Sequence, residues 1–279
     1  MTNRSLMSVI IVGLLSLTAA RAHAVWPGDP GKCKADAVKA GSVCVDKYEA
    51  SVWQIPATNL SGRSNAALIL KVQNGTATLA NLMAGGATQI SAESNSACAP
   101  AFPATFPDDG QWELPLYAVS IPNVQPTACV TWFQAQQACG NSRKRLPTNA
   151  EWQLAVAGTP DQGADDGLTA CNTANAFDGV PTGSRSGCIS NSGAFDMVGN
   201  VGEWVADWVP LSTACPGWGG FSGDFQCFAG ANTTLTGGPG ALVRGGDYSG
   251  PSSTRGPLAV DGHEQPSLSD ITVGFRCAR

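Results

Sequence analysis

Ten cysteines, every one of them beyond residue 24, constrain this chain of 279 residues more than any other feature. An even number of thiols in an oxidising compartment pairs into disulfides, and the first residues are built for export into one. Arg4 precedes an apolar run from about Leu6 to Leu17, and Ala22-His23-Ala24 places small residues at both positions of a cleavage signal. Cleavage after Ala24 is expected, with the mature protein periplasmic or extracellular. The apolar run is shorter than the roughly 20 residues a membrane-crossing helix needs, so no membrane span is expected.

Loss of residues 1–24 removes two arginines and no acids, which leaves 14 basic against 21 acidic residues. That negative balance argues against nucleic acid as a partner. Only 13% of the residues are charged, while 33 are glycine and 18 proline. A loop-rich product with few long helices follows. The histidines exclude more chemistry than any motif does. Only His23 and His263 exist, and His23 leaves with the leader. One imidazole cannot build a multi-histidine zinc or iron centre, and a Ser-His-Asp triad would have to use His263. That residue sits in DGHEQPSLSD, whose composition reads as a solvated loop.

Apolar and polar residues alternate from Val43 to Val52 and predict a strand, with Cys33 to Cys44 the simplest local closure. Residues 57–127 carry little pattern beyond one apolar, strand-like piece at Ala67 to Val72. They read as strands and loops of the same domain, or as an insertion into it. A helix is expected from Thr131 to Cys139 with Phe133, Ala135 and Ala138 inward, stopped at Gly140-Asn141. A second should start after Pro147, where Thr148 and Glu151 have capping-box spacing. Glu151 is then a cap rather than a catalyst.

The stretch GAFDMVGNVGEWVADW holds Asp196 and Glu203 seven positions apart around a glycine-rich turn. Calcium takes six to eight oxygen ligands, and such a turn can present the carbonyls of Gly199 and Val201 between two carboxylates. A hydrogen-bonded turn without a metal is the competing reading. A catalytic acid pair has less support, because nothing nearby suggests a sugar-binding cleft.

CVDKYEAS, ACVTWFQAQQAC, RLPTNAEWQLA, FDMVGNVGEW, LVRGGDY and the terminal GFRCAR occur in an order and spacing that resemble the formylglycine-generating enzyme family, also called the sulfatase-modifying factor family. The resemblance covers about residues 44–56 and 127–279 and leaves most of 57–127 unmatched. It implies one α+β domain over residues 25–279, low in regular secondary structure, disulfide-linked and similar to C-type lectins. It implies a structural calcium at Asp196, Gly199, Val201 and Glu203. A further family site would use Asn172 and Asp178, although that segment is much shorter here. It also implies that Cys139 pairs with Cys277. Local closure of the remaining cysteines then suggests Cys171 with Cys188, Cys215 with Cys227, and Cys98 with Cys129.

The family's enzymes oxidise a substrate cysteine with oxygen and a copper(I) ion held by two thiolates. The resemblance places those thiolates in RGGDYSGPSSTRGPL, where Gly250 and Arg255 stand. Neither residue binds copper(I), which prefers soft sulfur ligands. No methionine lies in that block to replace them. Asp247, Tyr248, Ser249, Ser252, Ser253 and Arg255 would line the family's active-site surface as candidate ligand contacts. Arg244 and Arg276, beside apolar strands, are expected in buried hydrogen-bond networks. The implied protein is an exported, calcium-stabilised module that binds a protein, peptide or small molecule, or acts as a scaffold. The alternative is an oxidoreductase with non-standard ligands, acting on protein cysteine or in siderophore maturation.

Overall fold

The chain is described by a computed structural model covering residues 32–94, 97–102, 115–160, 165–173, 178–209, 227–228, 239–249 and 254–279. It begins with a hairpin, β1 (Ala37–Ala40) against β2 (Val43–Asp46), turned at Gly41 with φ of 62°. The expected strand from Val43 to Val52 is divided: β2 ends at Asp46 and β3 (Ser51–Gln54) begins a second sheet. The backbone between them is recruited elsewhere, since the Lys47 N–H donates to the Asp36 carbonyl and the Lys47 carbonyl accepts from Phe195.

The piece read as strand-like at Ala67 to Val72 is instead α1 (Ala66–Gln73), followed by α2 (Leu79–Ala84). Leu68 and Val72 are buried while Leu70 is exposed, a four-residue spacing that belongs to a helix and not to a pleated strand. The short β4 (Thr88–Ile90), β5 (Ala92–Ser94), β6 (Ala97–Ala99) and β7 (Leu116–Val119) complete this region. β4, β3 and β7 form an antiparallel sheet with β3 central, and β5 pairs with β6. Both helices join Trp53 and Val119 of the sheet and Ile55 and Ile121 just beyond its strands in one apolar cluster, so the segment with least sequence pattern has its own apolar core.

α3 (Trp132–Asn141) starts at Thr131, whose hydroxyl accepts from the Gln134 N–H while the Gln134 side chain accepts from the Thr131 N–H. The helix continues through Gly140-Asn141, two residues beyond the end expected at Cys139, and is capped at Ser142. α4 (Asn149–Val156) carries the expected Thr148–Glu151 capping box, and Glu151 also takes two hydrogen bonds from Arg145. The main sheet follows: β8 (Gly202–Val209), β9 (Cys227–Phe228), β10 (Gly240–Arg244), β11 (Val260–Asp261) and β12 (Val273–Phe275), in the spatial order β12-β8-β10-β11-β9.

Trp204 and Phe275 are fully buried between this sheet and α3, and the Trp204 indole donates to the Val130 carbonyl at 2.9 Å. The chain terminus is locked inward. Ala278 bridges Val45 and Arg145, and the Phe275 and Cys277 carbonyls accept from Ala50 and Asp46. Cys139–Cys277 ties that terminus to α3 across 138 residues of chain. Cys33–Cys44, Cys98–Cys129 and Cys171–Cys188 also pair as expected. Cys215 with Cys227 lies outside the residues whose side chains are described. Cys33–Arg279 forms one compact unit, and no helix among the described residues is long and apolar enough to cross a membrane.

Candidate functional site

The loop before β8 is shaped by left-handed backbone at Asp196 (φ 56°), Gly199 (φ 72°) and Asn200 (φ 56°). At Gly199 a Cβ would stand 2.2 Å from the Asn172 carbonyl oxygen, so only glycine permits this approach. The loop encloses three buried carboxylates: Glu49, Asp196 and Glu203. Glu49 reaches it from the segment before β3 and accepts from the Val201 N–H at 3.1 Å and the Asn200 amide at 2.5 Å. Asp196 Oδ2 accepts from the Gly183 N–H at 2.6 Å, and its Oδ1 is buried without a hydrogen-bond partner.

Glu203 is fully engaged. Arg276 Nε lies 2.8 and 2.7 Å from its two oxygens, Arg276 Nη2 2.5 Å from Oε1, and the Trp152 indole nitrogen 2.6 Å from Oε2. Burial pushes the Asp196 carboxyl up to about 7, with the neighbouring Glu203 charge adding to the shift against opposing contributions from Gly183 and Arg276. Burial and then the charges of Asp196 and Glu203 hold Glu49 well above the usual carboxylate range.

These partners divide the expected calcium ligands. Asp196 fits, since it keeps one buried oxygen free. Glu203 does not, because both oxygens are saturated and a guanidinium repels a second cation from the same carboxylate. Asn172 and Asp178, expected to form a separate site, adjoin this one: the Asn172 amide donates to the Asp178 carbonyl and to Asn200 Oδ1, and Asn172 Oδ1 is buried and unpartnered. Glu49 and Trp152 were not singled out in the sequence as partners of this loop. Glu49 stands in the CVDKYEAS block, and an acid in an otherwise strand-forming stretch was the available signal.

The surface expected to contact a ligand is only partly a surface. Asp247 is half-buried and Ser249 exposed, with the Ser249 hydroxyl on Asp247 Oδ1. Tyr248 is buried, its phenol donating to the buried Glu93 at 3.1 Å, and Arg255 is 1% exposed with Nε donating to the Asp247 carbonyl. Both are corrected from surface to interior. Tyr248 turns inward because its own N–H is held by the Asn200 carbonyl, and the Arg255 stem packs over Gly246, where a Cβ would stand 2.6 Å away. Gly250, Ser252 and Ser253 lie outside the described residues. Arg244 and Arg276 form buried networks: Arg244 donates to the Ala259 carbonyl, Asn149 and Gln153 and stacks 4.4 Å from the Trp152 ring.

His263 departs from the solvated-loop expectation. Its Nδ1 contacts Asp261, its Nε2 lies 3.0 Å from Glu264 Oε1, and hydrogen bonds to the two carboxylates raise the imidazole to about 10. These three residues help line a cavity of about 160 Å³ together with Gly246, Asp247 and Asp270.

Fold and site thus define an α+β, disulfide-linked domain whose terminal strand and central loop are joined through a buried Arg276–Glu203 pair. Residues 108–279 match the sulfatase-modifying factor enzyme 1-like domain, and the chain belongs to that family. It is 30% identical over 166 residues to the serine/threonine-protein kinase pkn1 of Chlamydia caviae, covering 55% of this chain and 24% of that protein. It is 30% identical over 178 residues to the formylglycine-generating enzyme of Streptomyces coelicolor, covering 55% of this chain and 52% of the enzyme. The chain therefore spans a quarter to a half of these relatives. PvdO from Pseudomonas aeruginosa is a solved structure 18% identical to it, with a TM-score of 0.40 over 85% of this chain and 80% of that one.

Proposed function

We propose that the protein is an exported, calcium-stabilised member of this family that does not generate formylglycine and serves as a binding or scaffold module for a protein, peptide or small molecule. The observation that carries the reading is Arg255. At the position where the family resemblance expects a copper thiolate, the chain places a buried guanidinium, a permanent cation that repels copper(I) and offers it no lone pair. With Gly250 at the other position, no sulfur ligand stands at either.

The calcium reading is supported by charge balance. Glu49, Asp196 and Glu203 are buried around one contacting cation, Arg276, and a buried excess of carboxylate is relieved by protonation or by a bound cation. Asp196 Oδ1 and Asn172 Oδ1 are oxygens of the type calcium takes.

Two measurements test the reading. Mature protein incubated with copper(I), oxygen and a sulfatase-type cysteine peptide should form no aldehyde above a denatured control; aldehyde formation establishes the oxidoreductase alternative. Chelation should lower the melting temperature, with calcium restoring it. Unchanged melting together with no co-purifying calcium removes the calcium assignment.

A further inference from the structure

Among the described residues, Asp261, His263 and Glu264 are the one group of three acidic, histidine or cysteine side chains whose ligand atoms all lie within 4.8 Å of one another. They are placed by secondary structure. Asp261 ends β11, paired to Val243 of β10. Its carboxylate accepts from the His263 N–H at 3.0 Å, and the Glu264 carbonyl accepts from the Ala241 N–H at 2.8 Å. The Asp261 side chain is 8% exposed, while those of His263 and Glu264 are 39% and 26% exposed and open to the 160 Å³ cavity. Asp247, within the segment matching the family's active-site block, lines the same cavity.

We propose that this group binds one divalent transition-metal ion, with His263 Nε2 and Glu264 Oε1 as direct ligands and Asp261 orienting the ring through Nδ1. The 3.0 Å between Nε2 and Oε1 supports the assignment. Two ligands each about 2.1 Å from one metal are about 3.0 Å apart at the right angle of an octahedral ion and about 3.4 Å apart at the tetrahedral angle of zinc, so this pair reaches one ion with a shift of a few tenths of an ångström. A carboxylate on the second ring nitrogen is the arrangement that fixes tautomer and orientation in histidine–metal sites. The ligand chemistry selects the ion. One imidazole with carboxylate suits zinc, iron(II) or manganese(II), while calcium prefers oxygen alone and copper(I) prefers sulfur. The metal replaces the proton that Nε2 shares with Glu264, and that proton leaves to solvent. The site shares no residue with the calcium loop or with the cysteine-equivalent positions, so it stands or falls apart from the function proposed above.

The test uses the disulfide-intact protein, stripped with chelator and titrated with zinc by calorimetry and with manganese(II) by NMR. The imidazole C2 proton of His263 is assigned by its loss in His263→Gln. Zinc should bind with a stoichiometry of one and shift that resonance, and manganese should broaden it. His263→Gln and Glu264→Gln should abolish saturable binding, and Asp261→Asn should weaken it on the order of 10- to 100-fold. Near-UV circular dichroism identifies any variant that has lost its fold, and the resonance readout on the unmutated protein needs no variant binding data. The proposal is overturned if zinc does not saturate the protein, if it binds without moving the His263 resonance, or if folded His263→Gln binds it equally well.

Discussion

Arg276 is completely buried and its guanidinium joins four parts of the chain: Glu203 on β8, the Asp46 carbonyl at 3.1 Å, the Phe195 carbonyl at 2.8 Å, and its own β12 end. Arg276→Met keeps much of the volume and removes the charge. Glu203 then retains only the Trp152 indole as a named side-chain donor, beside Glu49 and Asp196. Breaking one side of a buried ion pair costs about 3–5 kcal/mol, because the remaining charge stays desolvated. For a domain of this size each kcal/mol moves the melting temperature about 2–4 °C, so a fall of roughly 6–20 °C is expected at pH 8. Adding Glu203→Gln removes the stranded charge and should recover much of the loss. Calorimetric melting of the four proteins of this cycle, disulfides intact and chelator present, decides the matter. A fall below about 2 °C for Arg276→Met, or a double variant showing the simple sum of both single losses, refutes the reasoning.

In calcium-free protein, kept so by chelator, Asp196 has a folded value near 7, above its unfolded one, so the native state binds more protons than the unfolded chain between about pH 4 and 7. This group's contribution to stability therefore declines as pH rises through that window and is level above it; Asp196→Asn should flatten the wild-type difference in unfolding free energy between pH 5 and pH 8, and an unchanged difference in denaturant titrations would contradict the assignment. Thr148→Ala removes the hydroxyl that accepts from the Glu151 N–H at the start of α4, with an expected cost of about 1 kcal/mol by urea unfolding. Cys139→Ala with Cys277→Ala opens the longest described disulfide loop and should cost about 2–5 kcal/mol, read as a lower melting temperature under oxidising conditions only.

Much of the local structure was legible in the residues. The Thr148–Glu151 cap and the helix after Thr131 depend on neighbours within a few positions, where pattern and geometry coincide. Ala67 to Val72 was misread because six residues of mixed apolar character fit both a strand and one turn and a half of helix; packing against Trp53 and Ile55 selected the helix. The four described disulfides were also within reach, three through short loops and Cys139–Cys277 through the family resemblance.

What the sequence by itself determined is the framework: an even number of cysteines, a glycine-rich turn between Asp196 and Glu203, a single histidine beyond residue 24, and no sulfur where Gly250 and Arg255 stand. What only the tertiary structure decided is which charges meet. Glu203 looked free for calcium until Arg276, 73 positions later, was folded onto it, and Glu49 joined the loop from 151 positions before Asn200. His263 looked solvated until Asp261 and Glu264 closed on its ring at the edge of a cavity. The reason is physical. A side chain's ionisation and ligand capacity depend on the few atoms around it and on how much water they exclude, and long-range strand pairing brings those atoms together.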